Sequence, residues 1–458
     1  MKGGIVVNTF CKVWVRVLIL IMMLPDAGAG EIHSVADTPK ENVQESVKAT
    51  SQPSGEMPRL VPWLDYTGGL WHSAGLTGDW FGSRQQLMDK GIRFDISLIQ
   101  TLQGNWAGGT DCDYPYQGNM RYGVQLDTGK AGLWPGGLFV ARGETRYGNS
   151  NNLKTGALLP VNTASLYPVL EKDVTALTDL YYMQFLAPWV GVMAGKMSLR
   201  ESNVFASNET EQFMNTAFNF NAALATTFPL VALGGGVIFH PADWLTVSTL
   251  AIDSEGAADH SGFDTVFERG TTVYQNAEFK IKPFGLTGHQ RIGWTWSDRS
   301  RIQFGQNPRN LIAAIITKST AGLERKGHDG SFLYDFDQYL YTVPGKKDQG
   351  FGLFGRFGLT DGEVNPVQEF YSIGLGGKGM IPCRDNDSFG IGYYYLAISD
   401  KLPRVIERRT QDEQGVELYY NIAITPWLHI TPDLQIIEPV KENVDTTVVA
   451  GLRMKIDF

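Results

Sequence analysis

Arg142, Glu144 and Arg146 stand at alternate positions of one short segment, the spacing that puts three side chains on a single face of an extended strand. Two guanidiniums flanking a carboxylate form a ladder of fixed donors and acceptors. In contact with water, such a ladder orients dipolar solutes and focuses the local field. The same alternation assigns Arg93 and Asp95 to one face of an earlier segment, and Arg121, Gln125 and Asp127 to one face of the next. Lys196, Arg200, Glu278, Lys280, Arg291 and Arg356 are expected on the same side further along. A long polar stretch, Phe205 to Phe218, adds Asn208, Glu209, Gln212 and Asn215 just after Asn203, together with the rings of Phe205 and Phe213. The bland reading of any one of these residues is a solvated charge, because strand facing does not set depth.

Other chemistry is weakly represented. Gly374 to Gly379 has the look of a phosphate loop, but Gly379 stands where Ser or Thr is required, and the segment reads as a strand rather than the start of a helix. No nucleophile elbow, His-Glu-x-x-His pattern or Cys/His cluster is present. Neither a metal nor a cofactor is expected. The net charge of −9 gives no electrostatic case for nucleic acid.

Charges can line one face only if something covers the apolar face of the same strands. In Val448 to Phe458, Val448, Ala450, Leu452, Met454, Ile456 and Phe458 alternate with Gly451, Arg453, Lys455 and Asp457. In Val416 to Glu438, Val416, Leu418, Tyr420, Ile422 and Ile424 oppose Glu417 and Asn421, and the pattern resumes after a turn with Leu428, Ile430, Leu434 and Ile436 against His429, Thr431, Asp433 and Gln435. Lipid outside and water inside satisfies both faces, so the expected fold is all-β: a transmembrane antiparallel β-barrel of the bacterial outer membrane. Sixteen strands can be drawn, at about 92–106, 119–130, 136–149, 176–187, 189–199, 229–240, 243–254, 271–283, 286–299, 331–343, 349–361, 368–381, 386–399, 416–426, 427–438 and 446–458. Connections after even strands are short, whereas long ones near 150–175, 200–228 and 300–330 follow odd strands. That asymmetry distinguishes periplasmic turns from extracellular loops. Trp189, Trp244 and Trp427 fall at the short turns, where an interfacial girdle belongs.

Lys2, Lys12 and Arg16 flank an apolar run from Val13 to Leu24 that leads to Ala27-Gly28-Ala29-Gly30, which reads as a signal peptide over 1–30. Its removal takes away Lys2, Lys12, Arg16 and Asp26 and leaves the chain two charges more negative. Residues 31–60 are polar and poor in aromatics and read as a disordered periplasmic tail. Residues 61–91 form an N-terminal segment with a short helix over Gly82 to Lys90, and 92–458 form the barrel. Cys112 lies in the first long loop and Cys383 in a short turn. A wall ~25 Å tall separates them, so two free thiols are expected.

Several stretches carry a resemblance: LTGDWFGSRQQLMDKGI from Leu76, FASNETEQFMNTAF from Phe205, GLFGRFGLTDGEVNPVQEFYSIGLGGKGMIP from Gly352, FGIGYYY from Phe389, ITPWLHITPDLQ from Ile424, and the closing strand. Together they resemble the carbohydrate-selective porins of the OprB family. The resemblance implies a sixteen-stranded barrel that passes glucose-like monosaccharides by diffusion through a narrowed lumen, and it favours a Phe205–Phe218 loop folded inward. Planar charged groups match vicinal hydroxyls and aromatic faces match the apolar side of a pyranose. The expected constriction residues are therefore Arg93, Asp95, Arg121, Asp127, Arg142, Glu144, Arg146, Asn208, Glu209 and Phe213, with small carbohydrates and outer-membrane lipid as partners. Monomer and homotrimer are both open. A general porin indifferent to sugars uses the same elements; a barrel enzyme needs an outward Ser/His pair that the sequence does not offer.

Overall fold

The computed structural model describes residues 60–346 and 348–458. The expected signal peptide, and the expected tail apart from Leu60, lie outside the described residues. After a helical turn at Trp80–Gly82 and a helix at Ser83–Asp89 come strands β1 (Ile92–Ala107), β2 (Tyr116–Asp127), β3 (Gly137–Gly148), β4 (Val174–Ala187), β5 (Val190–Ser198), β6 (Val231–Ala242), β7 (Leu245–Asp253), β8 (Thr271–Ile281) and β9 (Gly288–Ser297). Two short strands, β10 (Arg301–Ile302) and β11 (Arg325–Lys326), bracket a ten-residue helix, Pro308–Thr317. Then follow β12 (Asp329–Thr342), β13 (Gly350–Thr360), β14 (Val367–Lys378), β15 (Ser388–Ile398), β16 (Glu413–Thr425), β17 (Leu428–Glu438) and β18 (Thr447–Asp457).

Sixteen strands pair antiparallel with their sequence neighbours, and β1 pairs with β18 to close the barrel; β10 and β11 form a separate ribbon within the β9–β12 connection. Closure removes the two edges that an open sheet would leave unpaired. All sixteen expected strands are present, and β2 begins earlier than expected, at Tyr116.

Face assignment follows the alternation. In β16 and β17, Val416, Leu418, Ile424, Leu434 and Ile436 are exposed on the outside, whereas Glu417, Asn421, Thr431 and Gln435 are buried within. Trp189 and Trp244 are exposed at their turns. Trp427 departs from the expected girdle: it is buried, and its Nε1–H donates to the Leu70 carbonyl at 2.7 Å. The N-terminal segment covers it.

That segment also ties the barrel seam together at the periplasmic end. Asp79 Oδ1 accepts from the Gln85 N–H at 2.7 Å near the start of the helix. Met88 is buried on the inner face of that helix, and Gly91 follows it with φ 79°, the left-handed stop that glycine adopts without a Cβ penalty. The Arg84 guanidinium lies 3.5 Å over the Tyr66 ring and donates to the Phe94 carbonyl at 3.1 Å. Leu76 N–H donates to Asp457 O at 2.8 Å, and Phe458 N–H to Ile96 O at 2.9 Å. Cys112 and Cys383 are free and exposed, as their opposite ends of the barrel require.

One facing differs from expectation. Lys196 pairs with Leu180 and Leu233, in the same outward row as Val192 and Val237. It escapes exposure because the β7–β8 loop folds down over the wall there: Lys196 Nζ donates to the His260 carbonyl at 2.6 Å, and Ala257 N–H bonds Val231 O at 2.8 Å. Strand parity decides the side, not the charge of the residue.

Candidate constriction site

The β5–β6 loop, 199–230, turns into the barrel and crosses to the far wall. It starts at Arg200, whose guanidinium lies between two carboxylates: Nη2 is 2.5 Å from Glu144 Oε1 and Nη1 is 2.6 Å from Glu209 Oε1. Arg121 Nη2 reaches the same Glu209 oxygen at 2.8 Å, and its Nε lies 3.5 Å from Glu144. The four groups form a square of alternating charge, and the Tyr167 ring lies 4.1 Å beneath the Arg200 guanidinium. Burial alone would raise the Glu209 carboxyl, but Arg200 and Arg121 hold it down to about 2. Opposed charges at this range outweigh the desolvation of a single group.

On the far wall, Arg453 donates to the carbonyls of Glu209 and Gln212 at 2.8 and 2.7 Å, and Lys455 Nζ lies 2.7 Å from Glu211. Glu417 accepts the N–H groups of Met214 and Asn215 at 2.5 and 3.0 Å. The loop then makes a helical turn at Thr216–Asn219 and returns past Arg356, which donates to Phe218 O at 2.5 Å and to Ser207 Oγ. Arg356 Nε is also 3.0 Å from Glu201 and 3.1 Å from Asp335. Asp335 is shared with Arg291 at 2.5 Å; Arg291 in turn meets Glu278 at 2.6 Å and Asp337 at 2.8 Å. Burial raises the Glu201 carboxyl to about 7, Asp335 adding to the shift and Arg356 opposing it.

Rings hold the loop as well, most of them in its second half. Phe213 and Phe218 sit 4.5 Å apart, centre to centre, and Phe213 packs on Phe354 at 5.3 Å and Tyr419 at 4.7 Å. The wall beneath them is smooth because its inward positions are glycines. A Cβ on Gly390 would lie 2.6 Å from the Phe213 ring, one on Gly376 2.7 Å from Phe205 Cβ, and one on Gly352 2.5 Å from the Phe205 ring. The Gly-x-Gly spacing of β14 and β15, which includes Gly374 and Gly376 of the faint phosphate-loop pattern, is therefore a trough for phenylalanines. That spacing was the legible signal for a packed inner wall.

The β3–β4 loop, 149–173, also enters the lumen. Gln103 and Gln435 both donate to Val161 O, at 3.2 and 2.9 Å, and Asn119 donates to Ala164 O and Tyr167 O, both at 3.2 Å. Glu413 accepts from the N–H groups of Leu158 and, at 3.2 Å, of Leu159. The two loops bond each other through Thr163 N–H to Met214 O at 2.8 Å and Thr216 N–H to Pro160 O at 2.9 Å. Loop backbone thus finds partners in side chains of the wall, as buried backbone must.

The expected site residues divide accordingly. Arg121, Glu144 and Glu209 come together, with Arg200 as the added centre. Arg93 and Asp95 pair at 2.6 Å, and Gln125 donates to Asp95 at 2.9 Å, one tier closer to the periplasm. Asp127 caps the β2–β3 turn through the N–H groups of Gly129 and Lys130 at 2.9 and 3.1 Å. Asn208 caps its own turn at Thr210, 2.8 Å from that hydroxyl. Arg142, Glu144 and Arg146 do share a strand face, but the ladder is split. Arg146 is buried under the β3–β4 loop, 3.6 Å from Glu171, while Arg142 lies half-buried across Gly123. Phe213 is wholly buried and its ring faces the wall, so it anchors the loop and presents no face to a solute. His289 bonds Asp337 at 2.7 Å.

Comparison with known proteins agrees with this architecture. A family model described as "Carbohydrate-selective porin, OprB family" matches residues 112–458. Porin B of Pseudomonas aeruginosa is 24% identical over 427 residues, spanning 84% of this chain and 92% of that protein. The high-pH structure of Pseudomonas putida OprB superposes with a TM-score of 0.75 at 22% identity, over 86% of this chain and 100% of that one; the low-pH structure gives 0.52 at 20% identity.

Proposed function

This chain belongs to the OprB family of carbohydrate-selective porins and is an outer-membrane porin for small carbohydrates, and from that premise we propose that its filter is the charged rim of the β5–β6 loop. The observation that carries the reading is the two-sided mooring of that loop, from Arg200 on one wall to Arg453 and Glu417 on the other. Mooring leaves a fixed set of polar groups partly open to water: Arg121, Glu211, Glu278 and Asp335 are each about one-fifth exposed.

Those groups are already paired with opposite charge, which matters for what they can pass. A neutral polyol trades its water for hydrogen bonds to guanidinium and carboxylate edges one hydroxyl at a time, and releases them as readily, because neither partner changes its net charge. A zwitterion of similar size meets both signs of charge in one narrow tier and is slowed by binding or repulsion. Arg142, on the periplasmic side of the square, supplies a further donor along the path. Permeation through this rim is diffusive.

Liposome swelling in iso-osmotic glucose, other hexoses, a disaccharide and neutral amino acids of comparable size tests this filter. Faster entry of hexoses than of equally small amino acids, reduced in Arg121→Ala, is the expected result. Rates ordered by size alone would make the channel a general porin with no sugar filter at this rim.

A further inference from the structure

The inner wall is not polar throughout. On the periplasmic half of β3 to β6, the inward residues are Leu138, Val140, Tyr181, Met183 and Phe185, with Met193 and Ile238 packed beside them. Leu138 follows the β2–β3 turn directly and Phe185 precedes the β4–β5 turn by two residues, so this apolar sector opens on the periplasmic vestibule. At comparable depth elsewhere the inward residues are Arg93, Asp95, Gln125, His429, Thr431 and Lys455. An apolar sector facing pore water would be poorly solvated. Instead Leu138, Val140, Tyr181, Met183 and Phe185 are each no more than 1% exposed.

Part of their cover comes from the N-terminal segment. Leu60 and Val61, 1% and 4% exposed, belong to the same buried cluster. The segment is fixed at its base by the Tyr66–Arg84 stack, by Ser73 Oγ–H to Tyr66 O at 3.1 Å and by Ala74 N–H to Asp65 O at 2.8 Å. We propose that Leu60 and Val61 are a resident plug seated on the apolar sector of the vestibule, so that the N-terminal segment, and not the barrel wall, sets the bore on the periplasmic side. Solute then passes along the charged sector of β1, β17 and β18, past Asp95 and Lys455. The plug is held by apolar contact, which makes it displaceable by a change that leaves every barrel strand intact.

Single-channel conductance of the refolded protein in planar bilayers tests the plug independently of sugar preference. Leu60→Asp with Val61→Asp cannot seat two carboxylates on an apolar wall, and a variant lacking residues 31–64 has no plug. Both should raise the conductance by roughly 1.5-fold as the cross-section open to ions widens, while Leu60→Ile with Val61→Ile keeps the original value. Retention of that value by both disruptive variants, or a rise in the deletion alone, would overturn the assignment to these two residues. A second measurement serves if either variant fails to fold: with Cys112 and Cys383 replaced by Ser, Leu60→Cys should react with a charged thiol reagent far more slowly than native Cys383 does. Reaction as fast as that exposed thiol would likewise overturn the proposal.

Discussion

The two halves of the β5–β6 loop follow one path across the lumen but are fixed by different forces. Residues 200–212 are held by charge: Arg200 between Glu144 and Glu209, Arg453 on two carbonyls, Lys455 on Glu211. Residues 213–228 are held mainly by shape, Phe213 and Phe218 lying in a trough left open by Gly390 and its neighbours; Glu417 and Arg356 add charged bonds to the backbone there, as Phe205 over Gly352 and Gly376 adds a packed ring to the first half. Charge pairs set orientation and remain partly open to water, whereas packed rings set position and exclude it. A loop that must be both rigid and hydrophilic needs both kinds of fixing.

The sharpest way to break this division is Arg200→Ala. It leaves Glu144 and Glu209 with Arg121 alone between them, a loss of up to about 3–5 kcal/mol for a buried pair broken on one side. We expect a lower thermal midpoint by circular dichroism and loss of hexose preference in swelling assays, the barrel strands remaining intact by infrared spectroscopy. Gly390→Val attacks the other half. The new side chain overlaps the Phe213 ring, an overpacking cost of about 1–3 kcal/mol, and should push the loop off the wall and lower single-channel conductance. Equal loss of hexose preference in both variants, at unchanged conductance, would deny the two halves separate roles.

Acidity sharpens the comparison within the charged half. Glu201 is raised to about 7 and Glu209 is held at about 2. The raised group favours the folded state in its protonated form, so stability should increase as pH falls through about 7 toward its ordinary carboxylate value. The depressed group contributes its stability above the ordinary carboxylate range and loses it only as pH falls toward about 2. Thermal midpoints measured from about pH 8 to pH 5 should therefore rise more in the native chain than in Glu201→Gln. The smallest effect belongs to Arg142→Ala. Half-buried and outside the four-residue square, Arg142 should change solute flux while stability stays within about 0.5 kcal/mol. Arg146→Ala, under the β3–β4 loop, should do the reverse, lowering stability with flux selectivity unchanged.

The barrel was legible almost residue by residue because lipid and water impose a period of two that survives every local exception. Val416 to Glu438 and Val448 to Phe458 show it plainly. The lumen was less legible, for reasons that specific residues make clear. Lys196 is expected to face the lumen, yet parity puts it outside and a folded-down loop hides it. Phe213 reads as a solute contact because aromatics suit sugars, yet the matching glycines lie some 180 residues away on β15, a relation that alternation within one strand cannot express. The entry of the β3–β4 loop is hidden for a similar reason: its mooring groups, Gln103, Glu413 and Gln435, read as ordinary lumen polarity. Arg121, Glu144 and Glu209 are each legible in the sequence, but Arg200 as a group that joins them emerges only in three dimensions.

The seam between β1 and β18 also has a temporal meaning. Ser97 Oγ–H bonds Asp457 Oδ1 at 2.7 Å across a separation of 360 residues, and Leu76 N–H bonds the carbonyl of that same Asp457. Ordering so long a chain before its ends meet is entropically slow. Until Asp457 arrives, β1 presents an open edge, and its apolar outer face has only whatever lipid or chaperone reaches it. Closure therefore needs both ends of the chain at once, and the segment beside the Ser83–Asp89 helix is half of a clasp whose other half is the last strand.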